Sequence, residues 1–155
     1  MISQKSISRT TPSTVTANAL TSSLLTVDTR GTGFTDLTAE IAKFLREARA
    51  REGALTLFIR HTSASLTIQE NADPTVLIDL ATALNRLAPE NAGWRHDTEG
   101  PDDMPAHIKA SLLGPSVTLP VADGSFSVGM WQGIYLCEHR DRGGERRLNA
   151  TLNGE

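Results

Sequence analysis

Residues 116–153 read SVTLPVADGSFSVGMWQGIYLCEHRDRGGERRLNATLN. The run breaks into four strand-length pieces. Ser116–Val121 is the first, closed by Ala122-Asp123-Gly124, whose Asp-Gly pair suits a tight hairpin turn. Phe126–Met130 is the second piece, Gly133–His139 the third and Arg146–Asn153 the fourth. In the last, Leu148, Ala150 and Leu152 alternate with polar residues, so one face of that strand is apolar. Strands that follow one another with short turns predict antiparallel pairing, because a parallel pair needs a long crossover.

Helical patterns precede this run. Asp103 or Met104 is expected to start a short helix with Pro105 in its first turn, Ile108 and Leu112 facing inward, and Gly114-Pro115 as its end. Before it, Asp73 caps and Pro74 opens a helix whose stripe is Leu77, Leu80, Ala81, Leu84 and Leu87; Pro89 stops it. Leu55–Arg60 is a short apolar strand leading into His61–Asn71, read as a connection whose hydroxyls satisfy local backbone. Further back, Ser22–Thr29 reads as a strand broken by Gly31 and Gly33. Thr35 or Asp36 then caps a helix to about Arg49, with Leu37, Ile41, Phe44, Leu45 and Ala48 on one face. Residues 1–20, rich in Ser and Thr, are a tail or an edge strand, and 21–155 form one domain. The element order predicts an α+β fold, a largely antiparallel sheet packed against about three helices.

The 155 residues carry a net charge of −3, which gives no bulk basic field for nucleic acid. One cysteine excludes an intramolecular disulfide and fits a reducing compartment. No apolar run reaches the roughly 18 residues of a membrane span, and the first twenty residues lack a secretory apolar centre. The expectation is a soluble, cytoplasmic protein with neither nucleic acid nor membrane as partner.

Polar chemistry concentrates in two segments, WRHDTEGPDDMPAH (Trp94–His107) and CEHRDRGGERR (Cys137–Arg147). Loops aim functional side chains from a rigid scaffold, so the two segments are expected to meet in one site, with help from His61. All four histidines, His61, His96, His107 and His139, lie in polar motifs. A divalent metal, zinc or magnesium, needs several N, O or S ligands. His96, His107 and His139 are the candidate set, with His61 and Cys137 in reserve; the alternative is that these rings hydrogen-bond the loop and fix its shape. Asp97, Glu99, Asp102 and Asp103 suit Mg²⁺ on a pyrophosphate. Asp97 and Glu99 are also candidates for general acid or base, or for pairing with Arg95, and Asp103 is read as a helix cap. Arg140, Arg142, Arg146 and Arg147 flank Gly143-Gly144 in a pattern open to two readings, an anion clamp or a charged hairpin turn. Trp131 stacks on a ring substrate or packs in the core or against a subunit. Cys137 reads as a small buried hydrophobe. The serines of His61–Ser65 lack a G-x-S-x-G turn and read as loop hydroxyls, while Asn71 is placed to contact a ligand.

Three stretches, RHTSASLTIQENADP (60–74), GWRHDTEGPDDMPAHIKASLLGPSVTLPV (93–121) and GMWQGIYLCEHRDRGGERRLNATLNGE (129–155), resemble the YjbQ family, named secondary thiamine-phosphate synthase enzymes. The resemblance covers about Ser22–Glu155. It implies a compact α+β fold and a homotrimer. It also implies a weak activity that joins a hydroxymethylpyrimidine pyrophosphate to a thiazole phosphate and releases pyrophosphate. The residues' own chemistry makes His61, His107, His139, Asp97 and Glu99 the expected catalytic groups. Arg140, Arg142, Asn71 and Trp131 would meet a small phosphorylated metabolite. Two rivals stand beside it: a metal-dependent hydrolase or lyase, and a non-enzymatic ligand-binding trimer.

Overall fold

The structure is a computed structural model and describes residues 9–155. Of the N-terminal segment, residues 1–8 therefore lie outside the described residues. The elements run β1 (Ala19–Thr29), β2 (Gly33–Asp36), α1 (Thr38–Glu47), β3 (Gly53–Ile59), β4 (Ala64–Glu70), α2 (Pro74–Leu87), α3 (Asp103–Leu113), β5 (Ser116–Ala122), β6 (Ser125–Phe126), β7 (Gln132–Glu138) and β8 (Gly144–Gly154). Every pairing is antiparallel. The strands form two sheets, β1-β8-β3-β5-β6 and β2-β7-β4. The α+β architecture with three helices matches the sequence reading.

Between the sheets lies the core. Leu55, Leu57, Ile59, Leu119, Val121, Leu148, Ala150 and Leu152 project from the larger sheet. Ala64, Leu66, Ile134 and Leu136 meet them from the smaller one, and Ile41, Phe44 and Leu45 of α1 close one side. The Leu148-Ala150-Leu152 alternation thus does what period two requires of a half-buried strand. Strand β7 is buried on both faces: Ile134 and Leu136 face this core, while Cys137 and His139 are buried on the opposite side.

Two strands depart from the sequence reading. His61–Asn71 is not a loop throughout, because Ala64–Glu70 is strand β4, paired along its whole length with β7. Its apolar residues Ala64, Leu66 and Ile68 alternate with Ser65, Thr67 and Gln69, so the hydroxyls occupy one face of a strand. Gly33–Asp36 is β2, a four-residue edge strand on β7. Asp36 does act at the start of α1, its Oδ1 accepting the Thr38 N–H at 2.8 Å.

Three further expectations are corrected. Phe126–Met130 is not a full strand. Pairing stops at Phe126, and a turn closed by Gln132 N–H to Gly129 O leaves Met130 and Trp131 out in solvent. The inward face of α3 is Asp103, Pro105, Ala106, Lys109 and Ala110, while Leu112 is exposed and Ile108 only half-buried. Small residues let α3 lie close on β4, and Asp103 is drawn inward by an arginine described below. Helix α2 is capped by Asp73 as expected, yet none of its residues is buried; Leu77, Leu80, Ala81 and Leu84 are half-covered and Leu87 is exposed.

Candidate functional site

The β7–β8 connection begins with Glu138 and Arg140, and each anchors a different neighbour. Glu138 is buried, and its carboxylate accepts two hydrogen bonds from Arg146, at 2.6 and 3.0 Å. Thr29 Oγ1 adds a third at 2.6 Å and the Arg140 backbone N–H a fourth at 2.9 Å. Burial pushes its carboxyl pKa up, but Arg146, Thr29 and the Arg140 N–H outweigh that and hold it below the usual range. Strands β1, β7 and β8 are tied together at this one carboxylate.

Arg140 turns its guanidinium the other way, toward the loop before α3. Its Nε donates to Asp102 Oδ2 at 2.8 Å, one terminal nitrogen to Asp103 Oδ1 at 2.5 Å and the other to the Glu99 carbonyl at 2.8 Å. Asp102 Oδ2 also accepts the Asp141 N–H at 3.0 Å. Burial raises the Asp102 pKa, and the Arg140 and Asp141 hydrogen bonds bring it below its ordinary value. Trp94 steadies the start of the loop by donating from Nε1 to the Pro89 carbonyl at 2.7 Å. The two polar segments meet, as the sequence suggested, and Arg140 is spent on joining them. Asp103 is not the helix cap expected; Asp102 holds that position without a capping bond, and Asp103 is the first helical residue.

At this junction three side chains converge. His96 Nε2 lies 2.8 Å from Asp103 Oδ2, and His107 Nε2 lies 3.5 Å from Asp103 Oδ1. The two rings sit 5.4 Å apart, centroid to centroid. Asp103 and His107 share a helix face because they are four residues apart on α3. His107 Nδ1 donates to the Thr62 carbonyl at 3.0 Å, so in the neutral ring Nε2 carries the lone pair. That lone pair faces a carboxylate, an arrangement of two acceptors that needs a proton or a cation between them. Asp103 Oδ2 is buried and makes no hydrogen bond, despite its closeness to His96. All three ligand atoms lie within 4.8 Å of one another, which fits a single metal ion. His96 is half exposed, leaving one side of the cluster open.

His139 does not join them. It is buried, with Nε2 2.8 Å from Ser65 Oγ, and burial, then the Lys109 and Arg146 charges, lower its pKa to about 4 against a smaller opposing pull from Glu138. Asp103 stands where the sequence reading placed His139. His61 Nε2 accepts the Arg147 backbone N–H at 2.9 Å and its Nδ1 lies 3.5 Å from Arg146, so the ring clips the end of β8. Burial and then Arg146 hold His61 below its ordinary pKa, with Glu138 opposing. Cys137 is buried and its thiol is pushed up to about 12 by burial, against a smaller lowering by Ser65.

An open cleft of about 660 Å³ lies beside the junction, lined by Ser63, Glu99, Asp102, Arg140, Arg142 and Arg146. Arg142 is exposed and has no ion pair among the described residues. A second recess of about 330 Å³ is lined by His61, Thr62, His107 and Ser111. Asp97 is exposed and contributes only its carbonyl, to the Gly100 N–H. Asn71 and Trp131 are joined to each other by a backbone hydrogen bond, at the other end of the β4–β7 pair. Six residue steps separate Glu70 from Ala64, about 20 Å of strand, so within one chain these two do not reach the cluster. The Asp103–His107 spacing was the signal, visible in sequence, that would have found the third member.

The sequence of residues 23–155 matches the family model described as UPF0047 protein YjbQ-like. UPF0047 protein YjbQ of Escherichia coli O157:H7 is 50% identical over 132 residues, 84% of this chain and 96% of that protein. A UPF0047 protein of Synechocystis is 43% identical over 133 residues, 85% of this chain and 90% of the relative. Among solved structures, an uncharacterized yjbq/upf0047 family protein of Clostridium acetobutylicum has a TM-score of 0.78 at 33% identity, covering 83% of this chain and 98% of the other. A YbjQ-like protein of unknown function from Sulfolobus solfataricus P2 has a TM-score of 0.82 at 22% identity, covering 88% and 99%, and so shares the fold. With the family model matching from within β1 to the C-terminus and one relative 50% identical over 132 residues, the chain belongs to the YjbQ-like UPF0047 family.

Proposed function

We propose that the protein is a metal-dependent enzyme acting on a small phosphorylated metabolite, with the ion held by His96, Asp103 and His107. One observation carries this reading: a buried carboxylate whose Oδ2 makes no hydrogen bond and lies 2.8 Å from His96 Nε2, and whose Oδ1 lies 3.5 Å from His107 Nε2, a nitrogen with its lone pair fixed by a backbone carbonyl on the far side of the ring. Two histidines and a carboxylate with an open side are a common catalytic donor set for zinc and other divalent ions. A bound ion would supply Lewis acidity and a polarised water at neutral pH. The chain's own groups complete the reading. Arg142 is placed in the adjoining cleft to meet an anionic group, and Glu99 stands at the rim with an exposed carboxylate 3.8 Å from Arg140.

Two reactions fit such a site. The family resemblance favours formation of thiamine phosphate from a hydroxymethylpyrimidine pyrophosphate and a thiazole phosphate, where Arg142 would stabilise the departing pyrophosphate. The metal-ligand geometry equally suits hydrolysis of a phosphorylated metabolite. The proposal includes a homotrimer, supported by the exposed apolar residues Ile78 and Leu87 on α2.

The deciding experiment is metal content per chain on protein purified without chelator or affinity nickel, for wild type and His107→Ala. Near one ion per chain in wild type and a loss in the variant supports the site; no ion in wild type, even after incubation with Zn²⁺, Mn²⁺ or Co²⁺, overturns it. The metal-loaded protein is then assayed for thiamine phosphate formation and against a panel of phosphomonoesters. Arg142→Ala should raise KM for whichever substrate turns over.

A further inference from the structure

Asp103 presents a problem that its neighbours solve. Its side chain is 3% exposed, so the carboxylate has lost nearly all its water, and an unpaired charge in that position is costly. It sits at the first residue of α3, where a carboxylate ordinarily turns back to the free N–H groups of the first turn. Here it turns inward instead, onto Arg140.

The guanidinium of Arg140 is held in one orientation before it reaches Asp103. Asp102 takes Nε at 2.8 Å and a terminal nitrogen at 3.4 Å, a forked contact along one edge of the plane. The Glu99 carbonyl takes the same terminal nitrogen at 2.8 Å. The Arg140 main chain is pinned by its N–H to Glu138 Oε1 at 2.9 Å, and Asp102 is pinned by the Asp141 N–H at 3.0 Å. Only the remaining terminal nitrogen is left, and it binds Asp103 Oδ1. The two oxygens of Asp103 therefore differ: Oδ1 is occupied by Arg140, with His107 Nε2 3.5 Å away, while Oδ2 is buried, without a hydrogen bond, and lies beside His96.

We infer that Arg140 is the positioning residue of the metal site, holding Oδ1 of Asp103 so that a single oxygen, Oδ2, is offered to an ion shared with His96 and His107. The inference rests on the metal reading above and adds a role that the arginine-phosphate interpretation of Arg140 does not contain. A lysine cannot replace it. One ammonium keeps the charge but lacks the planar fork that spans Asp102, Asp103 and a carbonyl together. Outer partners of this kind typically alter metal affinity by about 10–100-fold.

The test uses Co²⁺ as the probe, bound to the full chain and followed by calorimetry and by its visible absorption, which responds to how many oxygens a carboxylate supplies. Wild type, Arg140→Lys and Asp102→Asn are compared, with Arg86→Lys on the exposed side of α2 as control. Wild type and control should bind one Co²⁺ alike. Arg140→Lys should bind about 10–100-fold more weakly, with a changed band shape as Asp103 rotates to offer both oxygens. Asp102→Asn, which loosens the guanidinium while keeping Arg140, should move both readouts in the same direction by less, and it carries the test if the lysine variant does not fold. Wild-type affinity and an unchanged spectrum in Arg140→Lys, or in Asp102→Asn where that variant stands in, overturn the inference and leave the metal site standing. No Co²⁺ binding by wild type overturns the metal site itself, and the positioning role with it.

Discussion

Glu138 brings a full negative charge into the interior, and Arg146 is what makes that tolerable. Removing one partner of a buried pair leaves the other uncompensated, so Arg146→Met should lower unfolding free energy by about 3–5 kcal/mol. Urea denaturation checks this, and the double change Glu138→Gln with Arg146→Met should be milder than the single one. His139 gives a pH signature of its own. Its folded pKa of about 4 lies below the ordinary 6.5, so the unfolded chain binds a proton that the folded chain refuses. Stability should therefore fall as pH drops from 6.5 towards 4, by up to about 3 kcal/mol, with His61 pulling in the same direction. The carboxylates act in a separate window. Glu138 and Asp102 have depressed pKa values, so their contributions are present above the unfolded carboxylate range and are lost only as pH falls through their lowered folded values. Unfolding curves from pH 7 to 4.5 should be flatter for His139→Gln than for wild type; equal slopes would remove His139 from this role.

The β7–β8 turn is the element on which the site depends. Gly143 has φ of +61°, and a Cβ there would stand 2.5 Å from the Thr29 carbonyl oxygen and 2.7 Å from the Gly31 nitrogen, both backbone atoms. Gly143→Ala should cost on the order of 2–4 kcal/mol and loosen the cleft wall that carries Arg142, measured by thermal unfolding and by hydrogen exchange at residues 138–147. Most elements could be read from the chain because local chemistry marked them: Asp73-Pro74 before α2, Gly114-Pro115 after α3, and the two-residue alternation of β8. Strand β4 escaped because Ser65 and Thr67 look like loop hydroxyls until the strand is paired with β7 and a second layer, α3, is packed on it. Strand β2 escaped because four residues carry no period. In the site, the meeting of two polar segments was legible from their density of charge. Asp103 was misread because a cap and an inward-facing carboxylate look alike in sequence. Only the fixed fork of Arg140, far along the chain, separates them.

At the scale of the molecule, the exposed apolar side chains call for a partner surface. Ile78 is 63% and Leu87 67% exposed on α2, although the helix has the stripe of a buried one. The homotrimer proposed above predicts a solution mass three times that of the 16.7 kDa chain. Light scattering after gel filtration measures it, and Ile78→Glu with Leu87→Asp should shift the mass towards one chain if α2 forms the contact. A monomeric wild type would remove the trimer and leave the cluster of His96, Asp103 and His107 intact, since all three come from one chain. The same two-sided burial that closes β7 also gives the protein a clock. Cys137 is the sole thiol, sits one residue from the end of that strand and is almost wholly covered, its ionisation pushed up to about 12 by burial. A thiol reagent can react only when the small sheet parts from the layers on either side of it. The labelling rate in native buffer therefore counts openings of the molecule directly, and a ligand that binds the closed form would slow that count without any engineered probe.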